Sequence, residues 1–155
     1  MGKASKPTAT TGAAGVHLLA GLISAMGFPV ATLGENIPTV DLLVSSRNGS
    51  AVAIQVKTAR WAHRKHRKEV GNYEWRCNPT RMDDGFYAFV DLKQHRDEDR
   101  PSELPDVFIV PVKVVKTWKH YAPKDSFVKP TERELSRYKN EKGWNLLLRK
   151  LAVNS

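Results

Sequence analysis

The chain has 155 residues, of which 41% are hydrophobic and 26% charged, a composition typical of one folded domain and not of a disordered chain. Its single cysteine, Cys77, excludes an internal disulfide and a cysteine-rich zinc site. We find no apolar run of the length that a membrane span needs, so we expect a cytoplasmic protein with no membrane partner. The net charge of +9 favours a polyanionic partner, nucleic acid first.

This charge is unevenly distributed. Residues 113–155 contain 11 basic and 4 acidic residues and predict a basic C-terminal helical segment. The first acidic residues of the chain are Glu35 and Asp41, and the next one is Glu69. The basic excess points to DNA, while the shortage of carboxylates limits which acidic side chains could take part in chemistry.

The sequence predicts a flexible leader over residues 1–10 and a single domain over residues 11–155. A helix that begins at Thr10 or Thr11 and reaches about Met26 is predicted by its capping residues and by Gly27 after its end. Its apolar residues recur at helical spacing and it has no charged residue, so we expect it to be buried on most sides. His17 lies on a face of small residues, where packing is a simpler interpretation than an accessory role in a site.

Two strand-like runs follow, over residues 39–46 and 51–58, and the residues between them predict a hairpin. A two-residue turn at Asn48-Gly49 would mix polar and apolar side chains on both faces. A three-residue turn with Gly49 in the left-handed conformation instead places all the apolar side chains on one face. We expect this second register, whose apolar set is Val40, Leu42, Val44, Val52, Ile54 and Val56.

The opposite face of that hairpin carries Asp41 directly across from Gln55, with Lys57 as a diagonal neighbour. One interpretation is an Asp–Lys salt bridge on a half-exposed face, which contributes little to stability. The other is a metal and phosphate site, because carboxylate and amide oxygens suit Mg²⁺ and a lysine can stabilise developing negative charge. The residues alone leave both interpretations open.

Asp41, the hairpin and the run Gln55-Val56-Lys57 resemble the PD-(D/E)XK nuclease superfamily. Further segments resemble a small bacterial endonuclease-like family within it, and the resemblance covers roughly residues 11–148. These segments are 11–15, 26–28, 31–34, 53–58, 86–92, 107–115 and 144–147. The resemblance implies an α/β restriction-endonuclease-like fold with a mixed central sheet flanked by helices, in the order α-β-β-β-α-β.

The resemblance also implies an activity, the Mg²⁺- or Mn²⁺-dependent hydrolysis of phosphodiester bonds in DNA, by a protein that can act as a homodimer. Asp41 matches the metal-binding aspartate and Gln55 the second acidic position, while the backbone carbonyl of Val56 completes the metal shell. Lys57 matches the catalytic lysine, which stabilises charge or orients the attacking water.

The chain departs from that family pattern in two places. Val16 stands where the first helix often carries a glutamate, and the proline of the motif is not adjacent to Asp41, although Pro38 is near. Gln55, a known variation, also replaces an acidic residue. Glu35, in the loop before the aspartate strand, is a candidate additional metal ligand. These departures keep an alternative open, a non-catalytic nucleic-acid-binding or protein-interaction module on the same fold.

A basic segment begins three residues after Lys57. Its five basic residues are candidates for contacts with DNA phosphates, which position a duplex without reading its sequence. They are Arg60, Arg64, Lys65, Arg67 and Lys68. Trp61 could stack on a base or pack against the protein, and Trp75 is expected to pack. His63 and His66 have a metal-like spacing but no cysteine or carboxylate close by, so we do not expect zinc.

The rest of the chain predicts buried strands around residues 86–90 and 107–110 and a helix over Val112–Tyr121. Asp91, next to a strand end, is a candidate further site residue, although a surface position is the simpler interpretation and the one we expect. Thr131 and Glu134 form a capping box that predicts the start of a short basic helix.

Overall fold

The computed structural model describes residues 8–34, 37, 39–63, 71–77, 82–95, 98, 100–101, 103–118, 120–121 and 127–153. The helices are α1 (Thr8–Ala25), α2 (Val112–Val115), α3 (Glu132–Leu135) and α4 (Glu141–Val153). The strands are β1 (Val30–Thr32), β2 (Leu42–Ser45), β3 (Ala51–Ala59), β4 (Trp75–Arg76), β5 (Phe86–Asp91), β6 (Asp106–Pro111), β7 (His120–Tyr121) and β8 (Phe127–Val128).

Five strands form a central sheet in the order β1-β2-β3-β5-β6. β3 and β5 are parallel, and the other neighbouring pairs are antiparallel. The predicted mixed sheet flanked by helices is therefore confirmed. The resemblance also implies a helix between β3 and β5, within residues 60–85. The described residues of that segment contain β4 and no helix. Residues 64–70 and 78–81 lie outside the described residues.

The hairpin has the register that the apolar pattern predicts. Leu42 lies opposite Ile54 and Val44 opposite Val52. Gly49 has a φ of +87°, the left-handed conformation that the three-residue turn requires. This register determines which side chains meet at the far end of the hairpin.

Each face of the central sheet is covered by its own layer. α1 and α4 pack on one face: Leu19 and Ile23 of α1 are buried against β2 and β3, and α4, with buried Leu147 and Leu151, packs on β6 and β3. A three-stranded sheet, β4-β8-β7, lies with α2 and α3 on the other face. That second core is largely aromatic and contains Tyr73, Trp75, Tyr87, Phe89, Phe108 and Trp118.

Helix α1 differs from the expectation in two ways. It begins at Thr8, so residues 8–10 belong to the helix and not to the predicted leader. Only Gly15, Leu19 and Ile23 are buried, because one side of the helix meets the sheet while the rest faces outward. The expectation of burial on most sides is therefore wrong: an uncharged helix need not be an enclosed one.

The same helix bears on the question of a membrane span. By length and composition α1 could cross a bilayer, contrary to our expectation from the sequence. In the structure its buried side packs closely on β3, where a Cβ added to Gly15 would lie 1.9 Å from the hydroxyl oxygen of Thr58. α1 is thus a packed element of this domain.

The C-terminal region is only partly as predicted. The helix expected over Val112–Tyr121 is limited to α2, and residues 120–121 form β7. β-branched residues lower helix propensity here, and the Thr117 hydroxyl donates to the Val114 carbonyl at 2.6 Å in place of a further helical bond. The capping box is confirmed, since the Thr131 hydroxyl accepts the Glu134 amide and the Glu134 carboxylate accepts the Thr131 amide.

Candidate functional site at one end of the central sheet

Strand directions bring several sequence-distant residues to one end of the sheet. β2 and β6 begin at this end, and β3 and β5 finish there, because β2 is antiparallel to β3 and β6 is antiparallel to β5. Asp41 directly precedes β2, while Gln55 and Lys57 lie in the second half of β3. We call Asp41, Gln55 and Lys57 the open cluster.

Asp41 is held by both its backbone and its side chain. Its amide donates to the Ile54 carbonyl at 3.0 Å, and its carbonyl accepts the Leu33 amide at 2.9 Å. Its carboxylate oxygen Oδ2 accepts the Val56 amide at 2.7 Å. The carboxylate is therefore fixed against β3 at the residue between Gln55 and Lys57.

The backbone of β3 contributes a further polar atom. The amide and the carbonyl of one strand residue point to the same edge of the strand. Since the Val56 amide faces Asp41, the Val56 carbonyl faces the same edge, beyond the start of β2. The carbonyl that the family resemblance implicates is thus placed beside the Asp41 carboxylate.

Gln55 and Lys57 project from β3 toward the aromatic core. Gln55 is only 8% exposed and lies beside Tyr87 of β5. Burial raises the pKa of the Cys77 thiol to about 12, and the positive charge of Lys57 opposes that rise, so the ammonium group lies near Cys77. Cys77 and Tyr87 lie close to one another, and Tyr87 is beside Gln55 in the sheet.

The members of the open cluster do not satisfy one another. Within the described residues neither Asp41 nor Lys57 takes part in an ion pair. The side-chain amide of Gln55 likewise has no hydrogen-bond partner among the described residues. The Asp41–Lys57 salt bridge considered from the sequence is therefore absent, and the Asp41 carboxylate accepts a backbone amide in its place.

A second group of charged residues lies at the same end of the sheet, where β5 and β6 meet. The Asp106 carboxylate forms ion pairs with Lys93 and Lys139, with Nζ–Oδ2 distances of 3.0 and 3.2 Å. Asp106 lies opposite Asp91 in the sheet. Burial acts to raise the pKa of Asp106, but the two lysines outweigh it and hold that pKa below its usual value. We call Asp91, Lys93, Asp106 and Lys139 the paired cluster.

Asp91 is fully buried, so the surface position expected from the sequence is wrong. One of its oxygens accepts the Lys93 amide at 3.1 Å, and the other, Oδ2, has no hydrogen-bond partner among the described residues. Burial raises the pKa of this carboxyl group. Lys139 comes from the turn before α4, far along the chain from Asp91, which is why sequence reasoning missed the cluster.

The remaining predicted site residues are not brought to the open cluster. Arg60 donates to the Gln94 side chain at 2.7 Å, so its guanidinium group is engaged within the protein. His17 is exposed and lies on the side of α1 opposite to Gly15 and Leu19, which face the sheet. Four residues of the basic segment and the candidate metal ligand Glu35 lie outside the described residues; the four are Arg64, Lys65, Arg67 and Lys68.

The aromatic residues near this end of the sheet have two kinds of environment. Trp75 is buried, and its indole nitrogen donates to the Val90 carbonyl at 3.1 Å, which confirms the expected packing role. Trp61 is partly exposed and stacks on His95, with 3.8 Å between the ring centroids. His63 interacts with Asn72 at 3.1 Å, and His66 lies outside the described residues.

Metal-ligand chemistry in the described part of the chain is limited to oxygen donors near Asp41. No group of three or more His, Cys, Asp or Glu residues that could hold a metal occurs in that part. The donors at the open cluster are one carboxylate, one amide oxygen and one backbone carbonyl. Such a set fits Mg²⁺, which usually retains several waters and binds through one or two carboxylates.

Comparison with solved structures finds a protein of the same fold. The structure of a bacterial homing endonuclease, I-Ssp6803I, superposes with a TM-score of 0.61 at 20% sequence identity, and the alignment covers 96% of each chain. No protein-family model matches the chain. A search of curated proteins finds no relative. The chain therefore shares an endonuclease-like fold along nearly its whole length.

Proposed function

We propose that the protein is a metal-dependent DNA endonuclease of the PD-(D/E)XK type, with the open cluster as its active site. The observation that carries this proposal is that Asp41, Gln55 and Lys57 converge without satisfying one another. Of the three, Gln55 is buried, and a buried polar group without a partner costs about 1–3 kcal/mol. Asp41 accepts only the Val56 amide, and Lys57 forms no ion pair among the described residues. A site that leaves a carboxylate, an amide and an ammonium group without mutual contacts is suited to an external ligand such as a metal-bound phosphate.

Each residue has a distinct role in this proposal. Asp41, Gln55 and the Val56 carbonyl would hold Mg²⁺ or Mn²⁺, with Glu35 as a further candidate ligand. When bound, the metal supplies Lewis-acid polarisation of the scissile phosphate and lowers the pKa of an attacking water. Lys57 donates hydrogen bonds from its ammonium group to a phosphate oxygen or to the water, which stabilises negative charge as it develops.

The surroundings of Lys57 support this role. Lys57 lies near the Cys77 thiol, and Tyr87 lies beside Gln55 on the neighbouring strand; burial raises the pKa of both Cys77 and Tyr87, so both stay neutral. Neither group therefore neutralises the lysine charge. The positive charge of Lys57 is left for a substrate phosphate.

The shared fold and the charge of the chain support DNA as the substrate. The structural neighbour is itself described as a homing endonuclease. The net charge of +9 favours binding to a polyanion. Positively charged residues that follow β3 in the sequence would contact the DNA backbone near the open cluster.

The proposal is tested by incubating supercoiled plasmid and labelled duplex DNA with the protein in Mg²⁺, in Mn²⁺ or in EDTA. We expect nicked or cut products only with metal. The Asp41→Asn variant should bind metal at least about 10–100-fold more weakly, the loss that even outer-shell substitutions cause. A matched control is Asp83→Asn, which changes an exposed carboxylate that pairs with Lys116 at the surface. Equal cleavage in EDTA, or full activity of Asp41→Asn, would contradict the proposal.

The alternative of a non-catalytic nucleic-acid-binding module is favoured by one observation, the single carboxylate in the described part of the cluster. A protein of this kind would bind DNA in a salt-sensitive way that does not depend on metal or on Asp41. The same plasmid assay separates the two candidates when it is combined with a binding measurement in EDTA. Binding without cleavage under any metal condition would favour the module.

A further inference from the structure

Two aromatic rings stack on one another beside the open cluster. Trp61 follows the end of β3, and His95 follows the end of β5. Their ring centroids are 3.8 Å apart and the ring planes differ by 23°. Trp61 lies four residues beyond Lys57, about 13 Å along extended backbone, so the pair is at the same end of the sheet as the proposed site of cleavage.

The loops that carry these rings are fastened together. The Leu92 amide donates to the Ala59 carbonyl at 3.0 Å, and the Gln94 amide donates to the Arg60 carbonyl at 2.8 Å. The Arg60 guanidinium group donates to the Gln94 side chain at 2.7 Å. The stacked pair is thus held in place before any ligand binds, which lowers the entropic cost of using it as a contact surface.

A cation supports the inner ring of the pair. The Lys93 ammonium group lies 5.9 Å from the centre of the Trp61 ring and is itself bound to Asp106 at 3.0 Å. Trp61 therefore contacts both this cation and the His95 ring. The side chain of His95 is exposed.

Packing alone does not account for the pair. Trp61 belongs to neither of the two buried cores, and His95 is at the surface. An exposed and rigid aromatic surface is typical of proteins that stack on nucleobases, because every base presents a π-face.

We propose that the Trp61–His95 pair stacks on a nucleobase of the bound DNA, with the base against the outer ring of His95. The inference deepens the proposed function by naming how DNA is held beside the open cluster. Stacking of this kind is sequence-tolerant, and it favours a base that is unpaired or easily unstacked over one inside an undisturbed duplex.

The test measures the affinity of labelled DNA in EDTA, so that no cleavage takes place, for a single strand and for a duplex with one unpaired base. His95→Gln removes the ring but leaves a polar side chain, and we expect Kd to rise by about five- to a hundredfold. His95→Phe retains a ring, and we expect its Kd to stay within about twofold of the original value. Trp61→Leu should weaken binding like His95→Gln.

A second readout separates stacking from a phosphate contact. The slope of log Kd against log salt concentration reports the number of phosphates neutralised. We expect the same slope for His95→Gln as for the unchanged protein, and thermal melting shows that each variant is folded. Four results would each overturn the inference. The affinity of His95→Gln is unchanged, or His95→Gln and His95→Phe lose affinity equally. The salt slope of His95→Gln is reduced, or the unchanged protein does not bind DNA. Absence of cleavage by a protein that binds DNA in this ring-dependent way would overturn only the proposed function.

Discussion

The open cluster and the paired cluster lie at the same end of one sheet, yet they treat charge in opposite ways. In the paired cluster the Asp106 carboxylate forms ion pairs with two lysines, so its charge is compensated inside the protein. In the open cluster Asp41 accepts only a backbone amide, and Lys57 forms no ion pair within the described residues. The difference teaches that charge near a sheet end is not by itself a sign of function. Charge that the fold leaves uncompensated is the better sign.

The largest stability effect is expected at the paired cluster. Asp106→Asn leaves Lys93 and Lys139 without their carboxylate, and removing one partner of a largely buried pair costs about 3 kcal/mol once the partial exposure of Lys139 is allowed for. Asp41→Asn should cost less than about 1 kcal/mol, because an asparagine oxygen can still accept the Val56 amide. Chemical denaturation of the two variants measures the contrast, and equal losses would remove the distinction between the clusters.

A smaller effect with a defined pH dependence is expected at Asp91. Burial raises the pKa of Asp91 in the folded protein above its unfolded value. The unfolded chain therefore ionises first as the pH rises, and stability falls between the unfolded and the folded pKa. Asp91→Asn lacks this loss, so it should be more stable than the unchanged protein near pH 7 and similar to it below the unfolded pKa.

The effect comes from removal of the buried charge, because asparagine still has a polar atom at the position of the unpartnered oxygen. We expect a gain of several degrees in Tm for a chain of this size. Thermal melts of both proteins from acid to neutral pH measure it. A variant that is less stable at pH 7 would show that the Asp91 charge is compensated after all.

The smallest expected effect would sharpen the description of the open cluster. Gln55→Glu restores a second carboxylate beside Asp41, and we expect tighter Mg²⁺ or Mn²⁺ binding by about tenfold, or ~1.4 kcal/mol. Titration calorimetry with each metal measures this change. Unchanged affinity in a folded variant would place Gln55 outside the metal shell.

Local pattern predicted the geometry around Asp41. Alternation of apolar residues and a glycine suited to the left-handed conformation were enough to select the register, and the register brought Asp41 to the backbone between Gln55 and Lys57. The resemblance of those residues to a nuclease family added the chemical roles, which remain predictions. The expected mixed sheet is confirmed, and three of its strands, β3, β5 and β6, are apolar runs of six to nine residues that the sequence pattern shows clearly.

Features made by contacts across long sequence separations were not predictable in the same way. The strands of the small sheet have two residues each, too few to show a pattern. The paired cluster joins β5 and β6 to the turn before α4, and the Trp61–His95 stack joins loops 34 positions apart in sequence. The outward side of α1 was missed because absence of charge is a weak signal of burial on all sides.

The most direct test of the central claim compares one lysine from each cluster. We expect Lys57→Ala to reduce metal-dependent DNA cleavage by about 10²–10³-fold with little change in Tm, because its ammonium group has no ion-pair partner in the described part of the chain to lose. Lys139→Ala should lower Tm and leave the cleavage rate of the folded protein unchanged, since its partner is Asp106. Full cleavage by Lys57→Ala, or equal loss of cleavage in both variants, would contradict the assignment of the open cluster as the active site.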